Sequence, residues 1–127
     1  MKTKTALLRS LGVLLALLVF TALPNSVLAT CSPCHDPTFT VIPGSGNQLF
    51  VQIDCDCPPG ATIFYRLNSG SNPTHTGATP TGGTFSGTSG MQVWIPYGYT
   101  VCIRALAWKE GSADSNVVVT CQHNPEN

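Results

Sequence analysis

The chain has 127 residues, only 9% of them charged, and three of its six cations (Lys2, Lys4 and Arg9) lie at the extreme N-terminus. Beyond that segment Arg66, Arg104 and Lys109 stand against Asp36, Asp54, Asp56, Glu110, Asp114 and Glu126, 3 − 6 = −3, a balance that excludes nucleic acid as a partner because phosphate binding needs clustered cations. The length admits one small domain, and six cysteines offer the covalent reinforcement that a small core benefits from.

The three N-terminal cations precede an apolar run over 11–23, which is followed by Pro24-Asn25-Ser26 and then Val27-Leu28-Ala29. This is the pattern of a secretory signal helix cleaved after Ala29. The run falls short of the ~20 residues that span a bilayer, so membrane contact is expected only through the transient signal peptide. Lipidation is a second option, because Leu28-Ala29-Thr30-Cys31 approximates a lipobox, although threonine before the cysteine fits poorly. The expected organisation is a signal peptide over 1–29, a Cys-rich arm over 30–37, a sandwich over 38–121 and a tail over 122–127. The product is expected to be secreted or extracytoplasmic, in the periplasm or at the cell surface.

The first strand is expected over 38–42, ended by Pro43-Gly44-Ser45-Gly46. Leu49, Val51 and Ile53 then alternate against Phe50, Gln52 and Asp54 in a second strand that stops before Pro58-Pro59-Gly60, where proline removes ladder donors. A third strand over 61–67 sends Ile63, Tyr65 and Leu67 one way and Thr62, Phe64 and Arg66 the other. From 68 to 90, 20 of 23 residues are Gly, Ser, Thr, Asn or Pro, the composition of a long loop with Phe85 as its only large apolar anchor. Met91, Val93 and Ile95 mark another strand.

The closing pair carries the clearest alternation. Val101, Ile103, Ala105 and Ala107 share one face and Cys102, Arg104, Leu106 and Trp108 the other. A polar break over 109–114 precedes a last strand over 115–120, where Val117, Val118 and Val119 favour the pleated surface. About seven short strands separated by turns, with no helical period after the signal, predict an all-β sandwich.

Ala105-x-Ala107-x-Lys109-x-Gly111 followed by Asp114-Ser115-x-Val117 resembles the closing strands of the chitobiase/β-hexosaminidase C-terminal-like domain, an immunoglobulin-like β-sandwich module of secreted bacterial proteins. Pro59-Gly60-Ala61-Thr62-Ile63-Phe64-Tyr65 is similar to that family's central strand, Pro73-Thr74 to its following loop and Phe85-Ser86-Gly87 to its short aromatic-x-Gly strand. The likeness covers residues 37–121. It breaks at Asn68-Ser69-Gly70-Ser71-Asn72, where the family usually has Asp-Gly-Ser. The resemblance implies an immunoglobulin-like accessory module without catalytic residues, in carbohydrate-associated or cell-envelope surroundings.

Cys31, Cys34, Cys55, Cys57, Cys102 and Cys121 all lie in the exported part, where disulfides persist. If the last two strands pair antiparallel, Cys102 near the start of one and Cys121 at the end of the other are neighbours, so this bond is expected first. Cys55 and Cys57, two apart along a strand, sit at the limit of bridging distance from each other. The remaining four are therefore expected to tie the arm to the end of the second strand, Cys31 and Cys34 reaching Cys55 and Cys57 in either order.

Cys31-Ser32-Pro33-Cys34-His35 also has the spacing of c-type haem attachment, in which two thiols add to the vinyl groups and the adjacent imidazole ligates the iron. A small exported cytochrome with haem c is the alternative reading, with His75, His123 or Met91 as the distal ligand. Four thiolates from Cys31, Cys34, Cys55 and Cys57 compose a zinc set that an oxidising compartment disfavours. Asp54 and Asp56 lack the loop of a known calcium site and read as a solvated strand edge. No G-x-S-x-G, phosphate loop or paired carboxylate indicates turnover, and Cys34-His35 adjacency does not make a thiol dyad, so no enzymatic activity, cofactor or metal is expected on the main reading.

Binding remains. Phe64, Leu106 and Trp108, flanked by Arg66 and Arg104, share the outer face of two neighbouring strands and would stack on sugars or anchor a protein. The competing expectation is that the 68–90 segment or the arm covers this face. Trp94 is a second outward aromatic. The expected function is a secreted, non-catalytic module that binds or spaces at the cell surface, its partner a polysaccharide or an envelope protein.

Overall fold

The computed structural model describes residues 31–126, and the signal peptide expected over 1–29 lies outside them. The described chain is all β: β1 (Thr38–Pro43), β2 (Leu49–Asp54), β3 (Thr62–Leu67), β4 (Thr74–Thr76), β5 (Thr79–Thr81), β6 (Phe85–Thr88), β7 (Met91–Ile95), β8 (Thr100–Trp108) and β9 (Val118–His123). They form an antiparallel three-stranded sheet in the order β1-β2-β7, a four-stranded sheet in the order β6-β3-β8-β9 and a separate β4-β5 hairpin. No helix among the described residues is long and apolar enough to cross a membrane.

The alternation in the sequence becomes one core. Val51 and Ile53 of β2 and Val93 and Ile95 of β7 meet Ile63 of β3 and Val101, Ile103, Ala105 and Ala107 of β8 in a single buried cluster. Each fully buried Val or Ile contributes roughly 1.5–3 kcal/mol relative to exposure. Large residues face small ones across the central ladder, where Ile63 of β3 stands opposite Ala107 and Tyr65 opposite Ala105. Cys102 and Cys121 are direct cross-strand partners of β8 and β9 and are bonded, Cα to Cα 3.9 Å. A second disulfide joins Cys31 to Cys57, Cα to Cα 5.6 Å. Two disulfides place the chain in an oxidising, extracytoplasmic setting.

The segment expected as one loop over 68–90 contains three strands. Threonines at 74, 76, 79 and 81 give β4 and β5 β-branched character, and Thr76 pairs with Thr79 around a two-residue turn whose first member, Gly77, has φ +54°. Their composition reads as loop because threonine counts both as a turn neighbour and as a strand former. After β6 the chain crosses from the four-stranded to the three-stranded sheet at Ser89-Gly90. Gly90 has φ +87° and donates its N–H to the Ile53 carbonyl at 2.9 Å, a conformation that glycine adopts without a Cβ penalty.

The last strand begins three residues later than expected, because Ser115 is held elsewhere. Its hydroxyl accepts the Ala107 N–H at 2.8 Å while its own N–H donates to the Ala107 carbonyl at 3.0 Å. Residues 122 and 123 belong to β9 instead of a tail, and Asn124 is buried beyond them. Its side-chain amide donates to the carbonyls of Asn47, 2.7 Å, and Ile95, 3.0 Å.

Candidate functional site

Three regions hold the residues singled out in the sequence. The first is the arm. His35 donates its backbone N–H to the Cys57 carbonyl at 2.9 Å, and Cys34 donates its own to Ala113, so the arm lies across the end of β2 and the approach to β9. Asp36 accepts the Asn116 N–H at 2.9 Å and extends that seam. Residues 31–36 line a shallow open recess. The donor atoms of Cys31, His35 and Cys57 gather within 4.8 Å of one another, and the His35 Nδ1 donates to Asp56 at 3.0 Å. The disulfide uses two of these three donors, while Asp54 accepts from the Gln52 side-chain amide at 2.9 Å.

Cys34 and Cys55 are free thiols buried in the core cluster. Burial pushes the Cys34 thiol up, and negative charge at neighbouring Cys55 adds to the shift. Burial likewise raises the Cys55 thiol, aided by the Asp56 carboxylate. With Cys31 bonded to Cys57 and Cys34 in the core, the two sulfurs of the C-x-x-C-H motif are not presented together to one porphyrin. The residues present do not fit covalent haem. His75, His123 and Met91, the distal candidates, are dispersed: His75 lies on Phe64, His123 bonds Thr100 at 2.9 Å and Met91 packs on the core.

The second region is the patch of Phe64, Arg66, Arg104, Leu106 and Trp108. The register does bring it together, with Phe64 opposite Leu106, Arg66 opposite Arg104 and Thr62 opposite Trp108. It is roofed. Phe64 is 0% and Leu106 5% exposed, because the His75 ring of the β4-β5 hairpin stacks on Phe64 at 4.3 Å and 7° and lies 5.6 Å from the Trp108 ring. Both arginines hold the roof down. Arg66 donates to the hydroxyls of Thr84 and Thr74, each at 3.2 Å, and Arg104 donates to the Ser69 carbonyl at 2.9 Å and to Asn72. His75 is fastened by both ring nitrogens, to the Gly77 carbonyl at 2.8 Å and to the Asp114 carboxylate at 3.0 Å.

The third region is the outer face of the three-stranded sheet. Its cross-strand partners form two rows. Ile42, Phe50 and Trp94 make one, and Thr40, Gln52 and Gln92 the next, with Asp54 opposite Thr38 beyond. Trp94 is 57% exposed, Thr40 and Gln92 are exposed, and Phe50, Gln52 and Asp54 are half-buried. The polar row is pre-ordered, since Gln92 donates to the Gln52 side-chain oxygen at 3.4 Å and Gln52 donates to Asp54 at 2.9 Å. A flat aromatic surface beside amides and a carboxylate fixed in line is an arrangement that stacks on a sugar ring and hydrogen-bonds its hydroxyls. The signal for Phe50, Gln52 and Gln92 was present as strand alternation, but only the pairing of β2 with β7 places them beside Trp94.

Comparison with family models, with curated proteins and with solved structures returns no match for this chain.

Proposed function

We propose that the chain is an extracytoplasmic, non-catalytic, immunoglobulin-like sandwich that binds polysaccharide through the outer face of its three-stranded sheet. The observation that carries this reading is Trp94, exposed beside Phe50 and next to the ordered row of Gln52, Gln92 and Asp54. The strand order supports the immunoglobulin-like reading, since β6 beside β3, in the sheet other than that of β1, β2 and β7, is compatible with an extra strand on the C-F-G side of such a sandwich. The resemblance of 37–121 to the chitobiase C-terminal-like domain supports carbohydrate-associated surroundings. Binding moves from the patch around Trp108, whose aromatics are engaged by the hairpin and whose arginines by residues of the 69–84 segment, to the face that no described strand covers.

The test is retention on insoluble chitin and on peptidoglycan. Trp94→Ala is expected to abolish retention while leaving the thermal unfolding curve in place, because an exposed side chain contributes little to the core. Wild-type retention of Trp94→Ala would sink the reading. Gln52→Ala is expected to weaken retention severalfold through loss of the ordered amide row.

A further inference from the structure

We infer that Cys34 and Cys55 are the two halves of a third disulfide, which the exported protein carries between its N-terminal arm and the end of β2. The geometry leaves them no other partner. Cys31 is bonded to Cys57 and Cys102 to Cys121, so the two remaining thiols are these. They fall within the bracket set by the first bond, Cys34 three residues after Cys31 and Cys55 two before Cys57, and the His35 N–H to Cys57 carbonyl bond keeps the two segments in contact. The Cys55 sulfur lies 3.6 Å from the carbonyl of His35, the residue that follows Cys34, and 3.5 Å from the carbonyl of Cys57. Both cysteines belong to the same buried cluster.

As thiols they are poorly placed. A thiol is a weak donor, so the two carbonyl contacts of Cys55 contribute little. Burial weakens both as acids, which leaves little thiolate in the folded core for metal binding or exchange, and each would repel the other if ionised. A disulfide removes both hydrogens and needs no charge in the core. Its formation breaks two S–H bonds and makes one S–S bond. Two protons and two electrons pass to a protein disulfide of the extracytoplasmic oxidising machinery, which becomes a dithiol. Exchange takes place before the arm and β2 close over Cys55, while both thiols are still solvated.

The experiment uses the full chain exported to an oxidising compartment, denatured without reductant, alkylated, weighed and mapped by proteolysis. The expected result is no alkylated cysteine, the mass deficit of three disulfides, and a linked peptide pair containing Cys34 and Cys55. In exported Cys34→Ser, Cys55 alone is expected to become alkylatable. Alkylation of both Cys34 and Cys55 in the wild-type chain overturns the inference. A linked pair of Cys31 with Cys34, or retained zinc with alkylatable thiols, overturns it equally.

Discussion

His75 is the residue on which the covered side of the molecule turns. Its ring lies flat on Phe64, and its nitrogens reach the Gly77 carbonyl and the Asp114 carboxylate, so one side chain joins β3, the hairpin turn and the approach to β9. His75→Ala is expected to lower unfolding free energy by roughly 1–3 kcal/mol, as loss of a ring contact and two polar bonds implies. His75→Phe keeps the stack and loses the bonds, and should fall between the two in urea titration. The same scale holds an alkaline effect. Folding raises the Cys34 and Cys55 thiols, so the native state holds their protons longer than the unfolded chain does. Their stabilisation is therefore complete below the ordinary thiol pKa and is lost as pH rises through the elevated native values. Chain made in a reducing cytosol should lose stability above that point more steeply than a cytosolic Cys34→Ala/Cys55→Ala variant. Thermal melts across alkaline pH check this, and the half-buried Tyr65 phenol, raised in both proteins, cancels from the comparison.

Among the elements, the core strands were legible in the sequence and the roof was not. The face of Val101, Ile103, Ala105 and Ala107 was readable because period-2 alternation reports the buried side of a strand directly. The Cys102–Cys121 neighbourhood followed from the length of the same two strands. What alternation cannot report is which outer face another segment covers. Phe64 and Leu106 alternate as outward residues, yet the β4-β5 hairpin makes them interior. That hairpin was hidden in a run of Thr, Gly and Ser. Its seating depends on Gly82, at φ +58°, where an added Cβ would stand 2.8 Å from the Arg66 guanidinium and 3.2 Å from the Thr74 hydroxyl. Gly82→Ala is expected to cost roughly 1–2 kcal/mol from the left-handed backbone alone, and more if Arg66 is displaced. A lowered midpoint in thermal unfolding, with retention on polysaccharide unchanged, is the expected outcome, since the open face lies on the other sheet.

For the whole molecule, the two sheets differ in how their outer faces are covered. The outer face of the four-stranded sheet is covered over β3 and β8 by the hairpin, whereas the three-stranded sheet presents Trp94 outward. The cysteine bonds close off both ends of the chain, residues 31–57 at one and 102–121 at the other. That has a mechanical consequence. Stretched between its termini, the molecule cannot release β1, β2 or β9 one at a time, because tension at residue 31 passes through sulfur to residue 57 and tension at residue 121 passes to residue 102. Only the stretch between 57 and 102 can pay out, about 45 residues or ~150 Å at roughly 3.4 Å each, against ~300 Å for the reduced chain. Single-molecule pulling should record that shorter step. A chain so cross-linked has its reach capped covalently and would lengthen only to that limit under load.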